Sequence, residues 1–255
     1  MLMPMPPRVR PRFLPRVGEK FQLRHLQPLA REAYERLAEL TGKSVDELLP
    51  LRLPNKYKGL LATMKTWGAY NRETHGIMQP SMFHWRELPR LHKTVKTYLH
   101  AGGGSSVGQH EALHGIFTLL HQEKSDSIPL EVEHILTNTG QRRGFRGETK
   151  TTRDLSPFLE AEKFASQARN EVYEHYGIDG ILALIVNADK INHADDITKI
   201  PRQLKKRGLL EKNGLTERGK KAFEKEYTTK ITAWLELVRR KRTENREQIW
   251  GRDGR

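Results

Sequence analysis

Apolar residues recur at helical spacing in eight segments of this chain, and residues that begin or end helices bound each segment. The first begins at Pro28, carries Ala33, Leu37 and Leu40 on one face, and ends at Gly42, which suits a left-handed cap. The others begin near residues 44, 81, 107, 130, 156, 178 and 216. Strand signals are few, so the spacing predicts a mainly α protein.

Proline, glycine and charge divide this helical pattern into regions. Five prolines in the first fifteen residues prevent a regular helix and predict an extended basic arm. A stretch without periodicity predicts a basic loop, and it separates a bundle-like helical region from a C-terminal helical domain. The final basic stretch has no apolar face and is expected to project from the body as a helical extension. The predicted regions are 1–20 (arm), 21–138 (N-terminal helical region), 139–154 (loop), 155–238 (C-terminal domain) and 239–255 (extension).

Composition excludes several classes of protein. The chain has no cysteine, so a disulfide scaffold, a cysteine nucleophile and a thiolate metal site are all ruled out. Its longest apolar run, 181–186, is far shorter than a membrane-spanning helix, which needs about 20 residues. We therefore expect no membrane span. No residue pattern identifies a cofactor or a small-molecule substrate.

The positive charge of the chain is segregated into four segments. The 255 residues carry a formal net charge of +14, with 45 Lys and Arg against 31 Asp and Glu. Residues 1–16, 139–153, 199–221 and 239–255 together carry a charge of +19, which leaves the remainder slightly acidic. Segregated positive charge is typical of a surface that binds the phosphates of a nucleic acid.

The basic loop adds an aromatic side chain to this pattern. Gln141 to Gly147 interleaves arginines and glycines with Phe145, which suits backbone contacts together with stacking on an unpaired base. Basic arms at both ends of the chain favour RNA, because disordered basic segments commonly fold on RNA.

Residues 196–224 resemble the second half of a winged-helix domain. The stretch has a basic helix ending at Gly208, a predicted hairpin turn at Asn213-Gly214 and a helix capped by Thr216, with the cadence RGLLE followed by GLTERG. The resemblance implies that the helix faces phosphates and that Lys212 lies on the wing. With the arms and loop, the residues predicted to contact nucleic acid are Arg8, Arg10, Arg12, Arg16, Arg142, Arg143, Phe145, Arg146, Lys150, Arg202, Lys205, Lys206, Arg207, Lys212, Arg239, Arg240, Lys241 and Arg242.

One motif points to a different chemistry. His110-Glu111-Ala-Leu-His114 has the H-E-x-x-H arrangement of zincin metalloproteases, in which two histidines one helical turn apart bind zinc and the glutamate activates water. A third ligand could come from Glu131 or Glu133. The alternative is a pair of surface or interface histidines on an amphipathic helix, and we take this as the primary interpretation, with no metal site and no catalytic residue.

The glycine-rich stretch Gly102 to Gly108 lacks the Gly-Lys-Ser/Thr of a phosphate loop. We interpret it as a flexible linker between helices.

These observations lead to one primary hypothesis and two alternatives. The chain is expected to be a non-catalytic component of a large ribonucleoprotein, contacting rRNA and neighbouring proteins. Its acid-free, arginine-rich start points to a mitochondrial ribosome and so to the mitochondrial matrix. The alternatives are a winged-helix DNA-binding regulator and an H-E-x-x-H zinc hydrolase.

Overall fold

A computed structural model describes residues 15–26, 28–53, 69–78, 103–121, 128, 130–137 and 156–244. The rest of the predicted arm, the helix predicted near residue 81 and the predicted basic loop lie outside these residues. The described part confirms a mainly α protein with a small sheet.

Seven α-helices and five short strands make up the described part of the chain. The helices are α1 (Pro28–Thr41), α2 (Val45–Leu48), α3 (Gly103–His121), α4 (Leu130–Thr137), α5 (Ser156–Val186), α6 (Asp196–Lys206) and α7 (Glu217–Glu244). The strands are β1 (Leu51–Arg52), β2 (Ala69–Asn71), β3 (Gly76–Met78), β4 (Leu210–Glu211) and β5 (Gly214–Leu215). Two single turns of 3-10 helix occur at Leu23–His25 and Ala188–Lys190.

Helices with strong local signals begin and end where the sequence predicts. α1 starts at Pro28 and is followed by Gly42 in the left-handed region, at φ 64°. The Ser44 side chain accepts a hydrogen bond from the Glu47 N–H and caps α2. The Thr216 hydroxyl accepts from the Gly219 N–H at 3.0 Å and caps α7.

The glycine-rich linker prediction is wrong over most of its length, because α3 already begins at Gly103. Glycine in a helix costs about 1 kcal/mol relative to alanine, which is why the local signal indicated a break. From Glu111 to His121 every residue of α3 is buried. Packing of this central helix outweighs the local preference of its first turns.

A three-stranded sheet covers one side of α3 and has the order β1-β3-β2. β1 pairs in parallel with β3, with Leu51 opposite Gly76, and β2 pairs antiparallel with β3, with Tyr70 opposite Ile77. Strands of two or three residues are too short to show an alternating pattern in the sequence.

The helices before and after the predicted loop share one hydrophobic core. α1 and α3 both pack against α5 and α7, and their buried apolar side chains belong to a single cluster. Arg36 of α1 donates to both carboxylate oxygens of Asp179, at 2.6 and 2.9 Å. Asp179 Oδ2 also accepts from the Leu215 N–H at 2.7 Å. One buried carboxylate therefore ties α1 to the hairpin of β4 and β5.

α5 changes direction at Gly177, which has φ 62° and ψ −157°. The sequence predicts a helix end at this glycine, and the backbone departs from helical geometry there. The sequence predicts a second, more apolar helix over residues 178–191, whereas the helix ends at Val186 and a 3-10 turn follows at Ala188–Lys190. We call residues 178–186 the second arm of α5. Within the described helices, none is long and apolar enough to cross a membrane.

Candidate nucleic-acid interface and a buried histidine-glutamate cluster

α6 presents a basic face to solvent because its apolar residues fall on the opposite side. Ile197, Ile200 and Leu204 are buried against α5, together with Pro201. Pro201 lies inside the helix, where it removes one backbone donor without ending the helix. The exposed face carries three of the predicted nucleic-acid contacts, Arg202, Lys205 and Lys206.

Two further basic residues extend this face beyond the helix. Arg207 follows the last residue of α6, and Gly208 then turns the chain at φ 68°. Lys212 lies between β4 and β5 and is exposed. We call these five residues, Arg202, Lys205, Lys206, Arg207 and Lys212, the α6 basic surface.

The members of the α6 basic surface have no acidic partner. None of the five side chains forms an ion pair or hydrogen bond with another residue in the part of the chain that the structure describes. Lys199 on the same helix differs, since its ammonium lies 3.6 Å from the Asp196 carboxylate. Unpaired cations on one face keep their full charge for an external anion.

The hairpin beside this surface is short and held close to the body. The sequence predicts its turn at Asn213-Gly214, whereas the structure pairs Glu211 with Gly214 and puts the turn at Lys212 and Asn213. The Asn213 N–H donates to the His175 carbonyl at 3.2 Å. A Cβ at Gly214 would lie 2.7 Å from Asp179 Oδ2, so glycine allows the close approach.

An open groove of about 450 Å³ borders the basic surface between α5 and α6. Its lining includes Glu171, Glu174 and His175 from α5, and Arg202 from α6. The two glutamates place negative charge on one side of Arg202. Because negative charge repels phosphate, the groove marks one edge of the surface that could bind a phosphate backbone.

Of the remaining predicted contacts, the structure describes Arg16 and the four basic residues near the end of α7. Arg16 is exposed and precedes the 3-10 turn at Leu23–His25. The other predicted residues of the arm and loop lie outside the described residues: Arg8, Arg10, Arg12, Arg142, Arg143, Phe145, Arg146 and Lys150.

The basic end of α7 is partly engaged within the protein, although the sequence predicts that it projects. Arg242 donates to the backbone carbonyls of Thr74 and His75, at 2.7 and 2.9 Å, and burial lowers its pKa to about 10. Arg239 and Arg240 are exposed, with carboxylates of Glu47 and Glu244 each 3.8 Å away. Lys241 is half-buried.

The second half of the H-E-x-x-H motif belongs to a buried polar cluster. His114 Nδ1 donates to Glu133 Oε1 at 2.5 Å, and Arg72 Nη2 donates to Glu133 Oε2 at 2.6 Å. The Glu133 side chain is 2% exposed. A buried carboxylate with a bonded cation and imidazole is a satisfied arrangement. We call Arg72, His114 and Glu133 the α3–α4 cluster.

Glu111 lies beside this cluster, and its pKa is raised. Burial raises its pKa to about 7, while His114 and the backbone N–H of Tyr70, which donates to the Glu111 carboxyl, act in the opposite direction. The Tyr34 hydroxyl donates to the Ala112 carbonyl at 3.0 Å and fixes this turn of α3 against α1. The sheet and α1 thus hold Glu111 from two sides.

The sequence interpretation is a pair of surface or interface histidines, and the burial of His114 excludes the surface position for that residue. The His110 side chain lies outside the described residues, although its backbone belongs to α3. Among the side chains that the structure does describe, no three of His, Asp or Glu converge as a metal site. Sequence reasoning missed Arg72, which has no local signal connecting it to Glu133.

His75 forms a second buried polar group next to the sheet. Its Nε2 donates to the Leu48 carbonyl at 2.6 Å, and in the neutral imidazole Nδ1 accepts from the Tyr70 hydroxyl at 2.5 Å. Burial lowers the pKa of His75 to about 3.

No protein-family model, curated protein or solved structure matches this chain. Functional inference therefore rests on the geometry of these two sites.

Proposed function

We propose that this protein binds nucleic acid through the α6 basic surface, as an RNA-binding component of a large ribonucleoprotein. The observation that carries the proposal is the absence of acidic partners, within the described residues, for five exposed cations on one helix and its adjoining hairpin. Phosphates supply the complementary charge, and each neutralised phosphate releases a counterion.

RNA is our first candidate because basic charge also occurs in segments far from α6. The four basic segments include both ends of the chain, and a folded RNA offers phosphates in several directions at once. The slightly acidic remainder would contact neighbouring proteins, and this role needs no catalysis. The arginine-rich start leads us to propose a mitochondrial ribosome in the matrix as the assembly.

Duplex DNA is the second candidate, and the order of elements favours it. The second arm of α5, the 3-10 turn, α6 and the β4–β5 hairpin follow one another as the parts of a winged helix do. A recognition helix reads the major groove through its exposed face, which on α6 is the basic one.

Binding of the full chain to a structured RNA and to a DNA duplex of equal length, over a range of salt, tests the proposal. We expect tighter binding to RNA and a linear fall of log K with log salt concentration. The double variant Lys205→Gln, Lys206→Gln should weaken binding and reduce the salt slope by roughly one to two. Lys225→Gln, Lys230→Gln removes equal charge from α7 and serves as the control.

Tighter binding to the DNA duplex would make DNA the ligand instead of RNA. Equal weakening of binding by both double variants would show that the α6 basic surface is not the interface. Sedimentation of a cell lysate with and without RNase tests the assembly. We expect migration with large particles that collapses after RNase, and migration as a free monomer would refute the ribonucleoprotein role.

A further inference from the structure

Helix α5 buries a guanidinium that no acidic residue in the described part of the chain neutralises. Arg169 is 2% exposed, and its Nε and Nη2 have no hydrogen-bond partner there. A buried charge is destabilising unless it is paired and hydrogen-bonded. We propose that Arg169 is the binding site for a small oxyanion, either a phosphate ion or a small carboxylate. The inference is independent of the proposed nucleic-acid binding.

The two unpartnered nitrogens lie on one edge of the guanidinium. Asn170 Oδ1 accepts a hydrogen bond from Nη1 of Arg169 at 3.0 Å, which leaves Nε and Nη2 for another acceptor. These two nitrogens carry parallel N–H groups, and their spacing matches two oxygens of one carboxylate or phosphate. The unpartnered edge is therefore one that can bind an oxyanion through two hydrogen bonds.

Two other arginines of the same chain show this edge in use. Nε and Nη2 of Arg36 donate to the two carboxylate oxygens of Asp179, at 2.6 and 2.9 Å. Arg242 uses the same two nitrogens to bind two backbone carbonyls. Both residues are less deeply buried than Arg169. The most buried of these three guanidiniums is thus the one without an acceptor on this edge among the described residues.

The neighbouring tyrosine does not supply the missing acceptor. Tyr173 lies one turn further along α5, and its hydroxyl donates to the Glu32 carboxylate of α1 at 2.8 Å. Neither residue bonds to Arg169. Burial lowers the pKa of Arg169 to about 10, and a bound anion would favour its charged form again.

The buried position of Arg169 limits the ligand to a small ion. Solvent reaches neither Nε nor Nη2, so an anion contacts them only when the fold opens locally. A phosphate within a nucleic acid brings its neighbouring nucleotides, which the same opening would have to admit. Glu171, exposed on the same helix, would also repel a polyanion. We therefore expect a separate ion and not a nucleic-acid backbone.

Thermal unfolding and calorimetry of the full chain test the proposal. Inorganic phosphate and acetate are each compared with chloride at equal ionic strength, which keeps general charge screening constant. We expect at least one of the two oxyanions to raise the Tm of the unaltered protein, because binding to the folded state stabilises it. A response to phosphate alone, or to acetate alone, would support the site and identify its ligand.

Substitutions of Arg169 give the decisive readout. Arg169→Met replaces the guanidinium by an apolar side chain of similar length. In chloride this variant should have a higher Tm than the unaltered protein, because it removes a buried unpaired charge. Its Tm should not rise with phosphate or acetate. Arg169→Lys keeps a charge without the paired edge, and it should weaken oxyanion binding by about tenfold or more.

Lys205→Gln, Lys206→Gln is the matched control, because it removes charge from the α6 basic surface. This double variant should weaken nucleic-acid binding and keep the full response to the oxyanion, so the two proposals can fail separately. Loss of the oxyanion response in this variant would assign the ion to α6 and overturn the proposal for Arg169.

Three further results would overturn the proposal. The first is an unchanged Tm of the unaltered protein with both oxyanions. The second is an equal rise in Tm in Arg169→Met. The third is a lower Tm of Arg169→Met in chloride, which would show that the guanidinium already has a stabilising partner within the protein.

Discussion

The α6 basic surface and the α3–α4 cluster use the same kinds of side chain under opposite conditions. In the α6 basic surface, five cations are exposed and contact no acidic residue that the structure describes. In the cluster, Glu133 is buried and bonded through both oxygens, to His114 and Arg72. A solvated cation needs no partner to be stable, so these five side chains remain available to an external anion. A buried charge must be paired for the fold to be stable, so the contacts of Glu133 are explained by folding before any ligand is considered.

The largest expected effect is on the stability of the cluster. Glu133→Ala leaves His114 and Arg72 without their shared carboxylate, and breaking a buried pair costs about 3–5 kcal/mol. Urea denaturation measures the loss in the free energy of unfolding. Glu224→Ala, an exposed change on α7, is the control. A loss below about 1 kcal/mol would show that the cluster behaves like a surface pair.

The tie between α1 and the hairpin should give the next largest effect. Asp179→Ala removes the acceptor shared by Arg36 and the Leu215 N–H, and we expect a loss of about 2–3 kcal/mol. A double-mutant cycle with Arg36→Ala should give a coupling energy of at least about 0.5 kcal/mol. Additive effects would contradict the tie, and Glu174→Ala, exposed on α5, is the matched control.

The free energy of unfolding should depend on pH through two buried groups, His75 and Glu111, whose effects run in opposite directions. The pKa of His75 falls from 6.5 to about 3 on folding, so the unfolded chain binds the extra proton and stability falls as pH drops through that window. The pKa of Glu111 rises from 4.5 to about 7, so its contribution is lost as pH rises through that range.

Denaturation curves from pH 3 to 8 separate the two groups. His75→Asn, which tolerates the φ of 47° at this position, should remove a slope of at most about 1.4 kcal/mol per pH unit below pH 6.5. Glu111→Gln should remove the decline toward neutral pH. An unchanged pH profile in either variant would show that the group titrates normally.

The smallest expected effect on stability comes from substitutions in the α6 basic surface. Lys205→Gln, Lys206→Gln should change the free energy of unfolding by no more than about 0.5 kcal/mol, because neither side chain contacts a partner within the described residues. Thermal unfolding provides the measurement. A larger loss would mean that α6 needs these cations for folding, which would weaken the argument that they serve a ligand.

Local signals predicted much of the fold. Pro28, Gly42, Ser44 and Thr216 mark helix ends through interactions within one turn, and each acts as predicted. The glycines at the start of α3 misled the prediction, because the packing that outweighs their preference comes from residues distant in sequence.

The sites were predictable to different degrees. The winged-helix resemblance predicted that the basic residues of α6 face phosphates, and in the structure Arg202, Lys205 and Lys206 are exposed. For the cluster, the spacing identified His114 but left Glu131 and Glu133 open, since residues two apart on a helix face different sides. In the structure, Glu133 bonds to His114, and Arg72 comes from the turn after β2, 61 residues earlier in the chain. Such long-range placement leaves no trace in local sequence.

The contacts of Arg242 give the end of α7 a mechanical role. By holding the carbonyls of Thr74 and His75, this side chain makes the connection between β2 and β3 follow any displacement of the final helix. Tyr70 in β2 bonds to His75 and, through its backbone N–H, to Glu111. A chain of hydrogen bonds therefore connects the end of α7, through the turn after β2 and through Tyr70, to Glu111 near the centre of α3.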